Sequence, residues 1–466
     1  MKKILIILML FSATSLFASN LRIAGGKVSN FLAGATEISF TISQENTFST
    51  NTYTCSTDTV KDCAWIFVKY STNSEAGPWN HCTITGASAG DAAGATIQSV
   101  SDSKGAFIFS NGNNRYWESN NVKVRWNYVT DGFSVFPSSG VKFRVMGIEM
   151  VYISTGPFTY DAGGSANTYN SSYNNFGAGS QVIVGAITDV PTGCSTDWPN
   201  GYRAFYIAKY EVSQKQYADF LNTIDPNGTS GTTYYDSARY NQAEYFLTRD
   251  ISRPIGDRYY VTGGHDTLAC NYTLWSDVIA YASWSGLRPM TEMEFERAAR
   301  GCNNANKYPW GNTEPDISTL DIKSSSTYTT SFTCCLYFQN GSLGVSFADG
   351  PAPVGLYLSG LNISGLPQYR TPEQTGASPY GIADLGGNLR EITITCPSLT
   401  TPINGNGTLT VPTSWPLSGA AGVGDRGGSW MDWITQMKVS DRSQVNWYYV
   451  TRNYFDRSGI RPARTP

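Results

Sequence analysis

The hydrophobic period of this chain changes once, from two to about 3.6, and that change bounds what it can fold into. From Asn20 to about Gly147 the apolar residues fall in short alternating or continuous runs: "TEISFTIS", "CAWIFVKY", "GAFIFS", "VKVRWNY" and "VKFRVMGIEMVYI". These runs are rich in β-branched and aromatic residues and separated by Gly, Asn and Ser, so they read as strands. No helical periodicity competes with them. The pattern predicts an all-β antiparallel sandwich over 19–147.

The stretch from Thr155 to Ser180 is poor in charge and rich in Gly, Ser and Asn, and reads as a loop or junction. Helical signals begin after it. Ser213 and Gln216 form a capping box, and Tyr217, Phe220, Leu221 and Ile224 follow at i, i+3, i+4 and i+7. Thr291 and Glu294 form a second box. It opens a helix in which Phe295, Ala298 and Ala299 face a core, Arg297 and Arg300 complement the C-terminal dipole, and Gly301 stops the helix. Trp275 to Trp284 reads as a helix before a turn at Gly286. From Asn303 onward regular periodicity fades into Gly-, Pro-, Ser- and Thr-rich stretches.

Lys2 and Lys3 precede an apolar run from Ile4 to Leu10, with small residues near Ala18 and Ser19, so 1–18 read as a secretory signal peptide. No later run reaches the roughly 20 apolar residues of a membrane-spanning helix. A secreted or cell-surface location is expected. Charged residues make up 15% of the chain and the net charge is -3, which leaves no basic stripe for nucleic acid. An exported chain permits disulfides, and nine cysteines leave at least one thiol over. Cys55 with Cys63 is the favoured pair, with Cys82 as competitor. The vicinal Cys334 and Cys335 read as structural disulfides to separate partners. Without a CxxC pair, and with His81 and His265 far apart in sequence, a zinc site is not expected.

Six segments occur in a telling order: "YIAKYEVSQKQYADFLN", "AYASWSGLRPMTEMEFERAARG", "YPWGN", "YGIADLGGNLREI", "RGGSW" and "SGIRPAR". Together they resemble the formylglycine-generating enzyme, or sulfatase-modifying factor, family. The resemblance implies a multidomain protein: the sandwich, then an α+β domain over 148–466 with a C-type-lectin-like fold, long loops and little regular structure. In the oxidising members two cysteines after the "GGS" strand bind copper. Counting back from Arg442 places those positions at Ile434 and Val439, so copper is not expected and no catalytic residue is assigned. An iron-dependent branch needs a histidine-rich helix, and this chain has two histidines. The aromatic residues that usually flank the acidic residue of the "GN" loop are replaced by Arg390 and Ile392.

The resemblance also implies a structural calcium ion in "DLGGNLRE". The ligands carried over are the side chains of Asp384 and Glu391 and the main-chain carbonyls of Gly387 and Leu389. Carboxylates and carbonyls are the hard oxygens calcium takes. Gly386 and Gly387 are expected to let the backbone turn inward, and Asn388 to hold the turn through backbone hydrogen bonds.

Arg288, Glu292, Glu294, Arg297 and Arg300 read as a capped helix with matched charges rather than a catalytic cluster. Tyr308 and Trp310 read as core aromatics, and Arg426 and Arg461 as buried arginines tying loops to carboxylates. The expected function is an exported, non-catalytic binding or assembly protein at the cell surface. Self-association and a glycan or protein ligand are the expected partners. The alternatives are a modifying oxidase that uses other residues and a carbohydrate-binding adhesin.

Overall fold

In the computed structural model the described residues are 21–47, 59–86, 91–161, 181–191, 193–229, 232–239, 245–301, 306–312, 350–356, 375–395, 401–416, 422–443 and 457–466. The expected signal peptide, Cys55, Cys334, Cys335 and most of the expected junction lie outside them.

The chain opens with β1 (Arg22–Leu32), β2 (Ala35–Thr47), β3 (Val60–Ser71), β4 (Asn80–His81), β5 (Ile84–Thr85), β6 (Ala95–Ser99), β7 (Ala106–Ser110), β8 (Asn114–Trp126) and β9 (Lys142–Ile153). Then come β10 (Phe158–Asp161), β11 (Gln181–Val184), β12 (Phe205–Ala208), α1 (Gln214–Ile224), β13 (Leu247–Arg249), β14 (Tyr259–Val261), α2 (Trp275–Trp284), β15 (Arg288–Pro289) and α3 (Glu292–Arg300). The last described strands are β16 (Arg390–Ile394), β17 (Val423–Arg426), β18 (Ser458–Gly459) and β19 (Pro462–Arg464). The protein is mostly β-sheet with few helices.

Two sheets pack face to face in the first part. One has the order β1-β2-β8-β5. The other runs β15-β19-β12-β9-β3-β7-β6, with β4 also on β3. Ile38, Phe40, Ile42, Val122, Val124 and Trp126 from the first sheet meet Ala64, Ile66, Val68 and Ile108 from the second in one apolar core. Alternation explains the contact, since every second residue of a strand points to the same face.

The boundary expected between 147 and 148 falls inside β9. That strand pairs with β3 from Val60↔Ile153 to Ser71↔Lys142 on one side and with β12 from Phe205↔Ile153 to Ala208↔Met150 on the other. One sheet is therefore shared by the sandwich and by the part of the chain that carries the helices. Its second face is covered by the helical part: Cys63, Trp65, Phe67, Met150 and Tyr206 pack with Tyr217, Phe220 and Leu221 of α1 and with Val278, Tyr281 and Trp284 of α2.

The local helix signals form as read. In α1 the Gln216 N–H donates to Ser213 Oγ at 3.2 Å, and the Ser213 N–H donates to Gln216 Oε1 at 2.9 Å. In α3 the corresponding bonds join Thr291 and Glu294 at 3.2 and 3.0 Å, and Gly301 ends the helix at φ 67°. Phe295, Ala298 and Ala299 are buried against Val151, Ile153, Phe205 and Ile207 on the central sheet.

The favoured partner of Cys63, Cys55, lies outside the described residues, and the competing pair of Cys63 with Cys82 is not formed. Cys63 is a buried thiol whose Sγ donates to the Met150 carbonyl at 3.5 Å, and Cys82 is also a buried thiol. They sit in different cores on opposite faces of β3. No disulfide joins side chains that the strand points apart.

Candidate functional site

The "DLGGNLRE" loop is buried and follows the backbone path its residue types allow. Asp384, Gly387 and Asn388 have φ of 58°, 88° and 61°, in the left-handed region that Gly, Asn and Asp tolerate best. Gly386 has a different role from the expected turn. A β-carbon there would lie 2.9 Å from the Trp310 ring and 3.2 Å from Pro309, so its missing side chain admits the "YPWGN" segment. Tyr308 and Trp310 are buried as read and stacked, with ring centroids 5.0 Å apart.

Asn388 fastens the turn. Its Oδ1 accepts from the Ala352 N–H at 2.8 Å, its Nδ2 donates to Glu211, and its carbonyl accepts from the Trp430 N–H at 2.7 Å. The Gly387 N–H donates to the Gly427 carbonyl at 2.9 Å, tying the loop to the "GGS" segment.

Three carboxylates gather around this loop. Asp384 accepts from the Gly355 N–H at 2.7 Å. Glu391, fully buried in β16, is held by Arg461 at 3.0 Å through Oε1. Glu211 accepts from the Leu389 N–H at 2.9 Å. Burial pushes the Glu391 carboxyl up to about 8 against the pull of Arg461. It also raises Glu211, which Asp384 and Glu391 push further, and it raises Asp384. Arg461 pulls all three carboxyls back toward their charged forms, and a divalent ion placed here would do the same.

One of the expected calcium donors has an oxygen without a partner: Glu391 Oε2 is buried and has no hydrogen-bond partner among the described residues. A β-carbon on Gly427 would sit 2.5 Å from this oxygen and 2.9 Å from the Leu385 carbonyl oxygen, so both oxygens line the space kept open by that glycine. No three His, Cys, Asp or Glu side chains among the described residues come together as a metal cluster. A cation here would need backbone carbonyls to complete its shell, as the resemblance implies for Gly387 and Leu389.

Ile434 and Val439 lie in apolar surroundings. Ile434 packs at the edge of Tyr308, Trp310 and Met437. Val439 is buried beside Phe295 and Leu385, and its carbonyl accepts from Arg426 Nη2 at 2.6 Å. Nearby, Arg390 is buried against Asp432 and stands 4.0 Å from Asp425. Burial pushes Asp425 up to about 7, with Arg390 pulling it down and Asp432 pushing it up.

The charged residues of α3 form a buried network. Arg288 bridges both oxygens of Glu294 at 2.8 and 2.6 Å, and Arg300 meets Glu296 at 2.8 Å. Arg426 reaches Glu292 at 3.2 Å and Glu296 at 3.1 Å, and Arg442 joins the same two carboxylates. Arg297 donates to the Ser154 carbonyl at 2.6 Å and to the carbonyls of Gly201 and Tyr202. Complementing the helix dipole is thus a minor part of what these arginines do: they satisfy loop carbonyls. Glu211 escaped the sequence analysis, although a lone carboxylate in the apolar run "FYIAKYEV" was its signal.

A separate cavity of about 500 Å³ opens on the shared sheet. Lys61, Gln98, Phe109, Asn111, Tyr152 and Tyr206 line it. Tyr206 and Tyr152 are paired across β12 and β9, and Lys61 is paired with Tyr152 across β3 and β9.

Among known proteins, residues 138–465 match the sulfatase-modifying factor enzyme 1-like domain, the FGE-sulfatase family. The formylglycine-generating enzyme of Thermomonospora curvata is 55% identical over 38 residues, 8% of this chain and 12% of that protein. The enzyme of the same name from Bos taurus is 25% identical over 126 residues, 23% of this chain and 34% of the relative. That from Streptomyces coelicolor is 43% identical over 61 residues, 13% and 18% respectively. This chain thus spans about a third or less of the length of these curated relatives. Among solved structures, Treponema denticola variable protein 1 aligns at a TM-score of 0.35 and 13% identity, over 69% of this chain and 96% of that one. The match over 138–465 rests on most of the chain, and the protein belongs to the sulfatase-modifying factor enzyme 1-like family.

Proposed function

We propose that this protein is an exported, non-catalytic member of its family that binds or assembles at the cell surface. One observation carries the reading: isoleucine and valine stand at 434 and 439, the positions that the resemblance assigns to the copper-binding cysteines of the oxidising members. An aliphatic side chain offers no thiolate to Cu(I). The apolar packing around both residues supports a structural role for that segment.

The same reading gives the "DLGGNLRE" loop a structural calcium ion, held by Asp384 and Glu391 side chains and by the Gly387 and Leu389 carbonyls. The ion would supply positive charge to a loop crowded with carboxylates and would stabilise the folded state by mass action. Assembly through exposed strand edges or loops fits an exported protein.

Carbohydrate binding is a second reading, and the sheet cavity favours it. Its volume lies within the range of small-ligand sites. Its lining combines aromatic rings with amides and an amine, the groups that stack on and hydrogen-bond to sugars.

The test of the main reading is direct. Purified protein would be incubated with Cu(I), oxygen and a cysteine peptide carrying the family's recognition pattern. The expected peptide mass is that of unchanged cysteine. Formylglycine above a no-enzyme control would overturn the non-catalytic reading in favour of an oxidase that uses other residues.

A further inference from the structure

Asp62, Glu149 and Lys209 come from three neighbouring strands or strand ends and lie on one face of the shared sheet. In the β3–β9 ladder Ala64 stands opposite Glu149 and Asp62 opposite Val151. In the β12–β9 ladder Ile207 stands opposite Val151, and the Lys209 N–H extends it by donating to the Glu149 carbonyl at 2.9 Å. With a period of two, the side chains at 62, 149 and 209 therefore share a face with Val151 and Ile207. The strands carrying Asp62 and Lys209 are two spacings apart, about 9.6 Å. Lys209 must extend across β9, past Glu149, to meet Asp62. It does so, with Nζ 2.6 Å from Asp62 Oδ2 and both side chains 2% exposed.

The surroundings exclude water. Val151 and Ile207 belong to the core beneath α3, and Ala64 and Ile66 to the sandwich core, so the three polar side chains sit where two apolar clusters meet. The buried Tyr210 ring lies 5.6 Å from Lys209 Nζ. Glu149 is 5% exposed. Two charges in such a place lose much of their hydration, and the attraction between them only partly restores it. An amine held 2.6 Å from a carboxylate oxygen is also placed to react, because fixed proximity replaces a bimolecular encounter.

We infer that Lys209 and Asp62 form an intramolecular isopeptide bond, with Glu149 as the proton-transfer group. The Lys209 ammonium gives a proton to Glu149. The neutral amine attacks Asp62 Cγ and the C–N bond forms. One Cγ–O bond then breaks, and that oxygen leaves as water carrying two protons from the original ammonium, one of them returned by Glu149. An ammonium and a carboxylate become an amide and a water molecule. No oxidant or cofactor is required. The bond closes 147 positions of chain and fixes the sandwich strand β3 to the segment that leads into α1, across the shared sheet.

The test is peptide mass after reduction and tryptic digestion of the folded, purified chain. The expected product is one branched peptide joining the Lys209 and Asp62 segments, lighter by one water than its two parts. Trypsin should also fail to cleave after Lys209. Lys209→Arg should give only linear peptides, and Glu149→Gln should lose the branched product while retaining the wild-type circular dichroism spectrum. Linear, unmodified peptides from the folded wild-type chain would overturn the proposal, as would water loss confined to the Asp62 peptide, which marks a cyclic imide. If Glu149→Gln folds and still yields the branched peptide, the role given to Glu149 is wrong. If that variant fails to fold, the wild-type digest decides the cross-link by itself.

Discussion

Arg461 grips Glu391 through a single carboxylate oxygen, with Nε and Nη2 each 3.0 Å from Oε1, and both side chains fully buried. The same guanidinium donates to the carbonyls of Ala208, Lys209 and Ala383. One side chain thereby joins the end of β12, the carboxylate loop and the last strands. Replacing Arg461 with Met should strand Glu391 and the three carbonyls, at about 1–3 kcal/mol for each buried group left unsatisfied. Urea unfolding at neutral pH would measure this. A loss no larger than the roughly 0–1 kcal/mol of an exposed ion pair would refute the structural role.

Calcium dependence is the second expectation. A chelator should lower the melting temperature, and Asp384→Ala combined with Glu391→Ala should remove that sensitivity. At free calcium of 100 times its dissociation constant the ion would contribute about 2.7 kcal/mol. An unmoved wild-type melt, together with no calcium by elemental analysis, would exclude the ion.

Asp425 sets a pH dependence. Its carboxyl is raised from an ordinary 3.8 to about 7, chiefly by burial. The folded state therefore holds this proton at pH values where the unfolded chain has released it. The associated stability is full below 3.8 and is lost as pH rises through about 7, amounting to a few kcal/mol at most. Asp425→Asn should flatten the slope of the urea midpoint over that window. Identical slopes for the two proteins would show that Asp425 does not cause it.

Gly386→Ala tests the packing of the loop on "YPWGN". The added carbon would fall 2.9 Å from the Trp310 ring, and overpacking of this kind costs about 1–3 kcal/mol. Trp310 fluorescence should shift along with the unfolding midpoint. Normal stability with an unchanged spectrum would mean that the ring and loop have room to separate.

Lys69 fastens the sandwich to the helical part. Its ammonium donates to the Trp284 carbonyl at 2.7 Å and the Gly407 carbonyl at 2.6 Å, and lies 3.0 Å from His81 Nδ1. Lys69→Met should strand these acceptors, at about 1–3 kcal/mol for each buried group left unsatisfied. Hydrogen exchange should rise first near Trp284 and Gly407. Uniform protection equal to wild type would count against the fastening role.

The helices and their caps were legible in the sequence because the bonds that start them join residues three apart: Ser213 with Gln216, Thr291 with Glu294. The strand runs were legible through their period, and the "DLGGNLRE" turn through its Gly and Asn content. The shared sheet was not. A strand's pattern says which residues point inward but does not name its neighbours, so nothing local in β9 announces that β3 and β12 both pair with it. Cys63 shows the same limit, since its partners depend on the face that β3 presents to α1 and α2.

Sequence alone determined the change from strands to helices, the helices α1 to α3, the family and the aliphatic residues at 434 and 439. Each of these is a matter of residue identity or of spacing within a few positions. Tertiary structure decided that Asp384 and Glu391 lie near enough to Glu211 to raise its carboxyl, that the α3 charges bind arginines from distant loops, and that Lys209 touches Asp62. Those contacts bring together residues far apart in the chain, and the closure of the sheet and loops around them sets their burial and their charge balance.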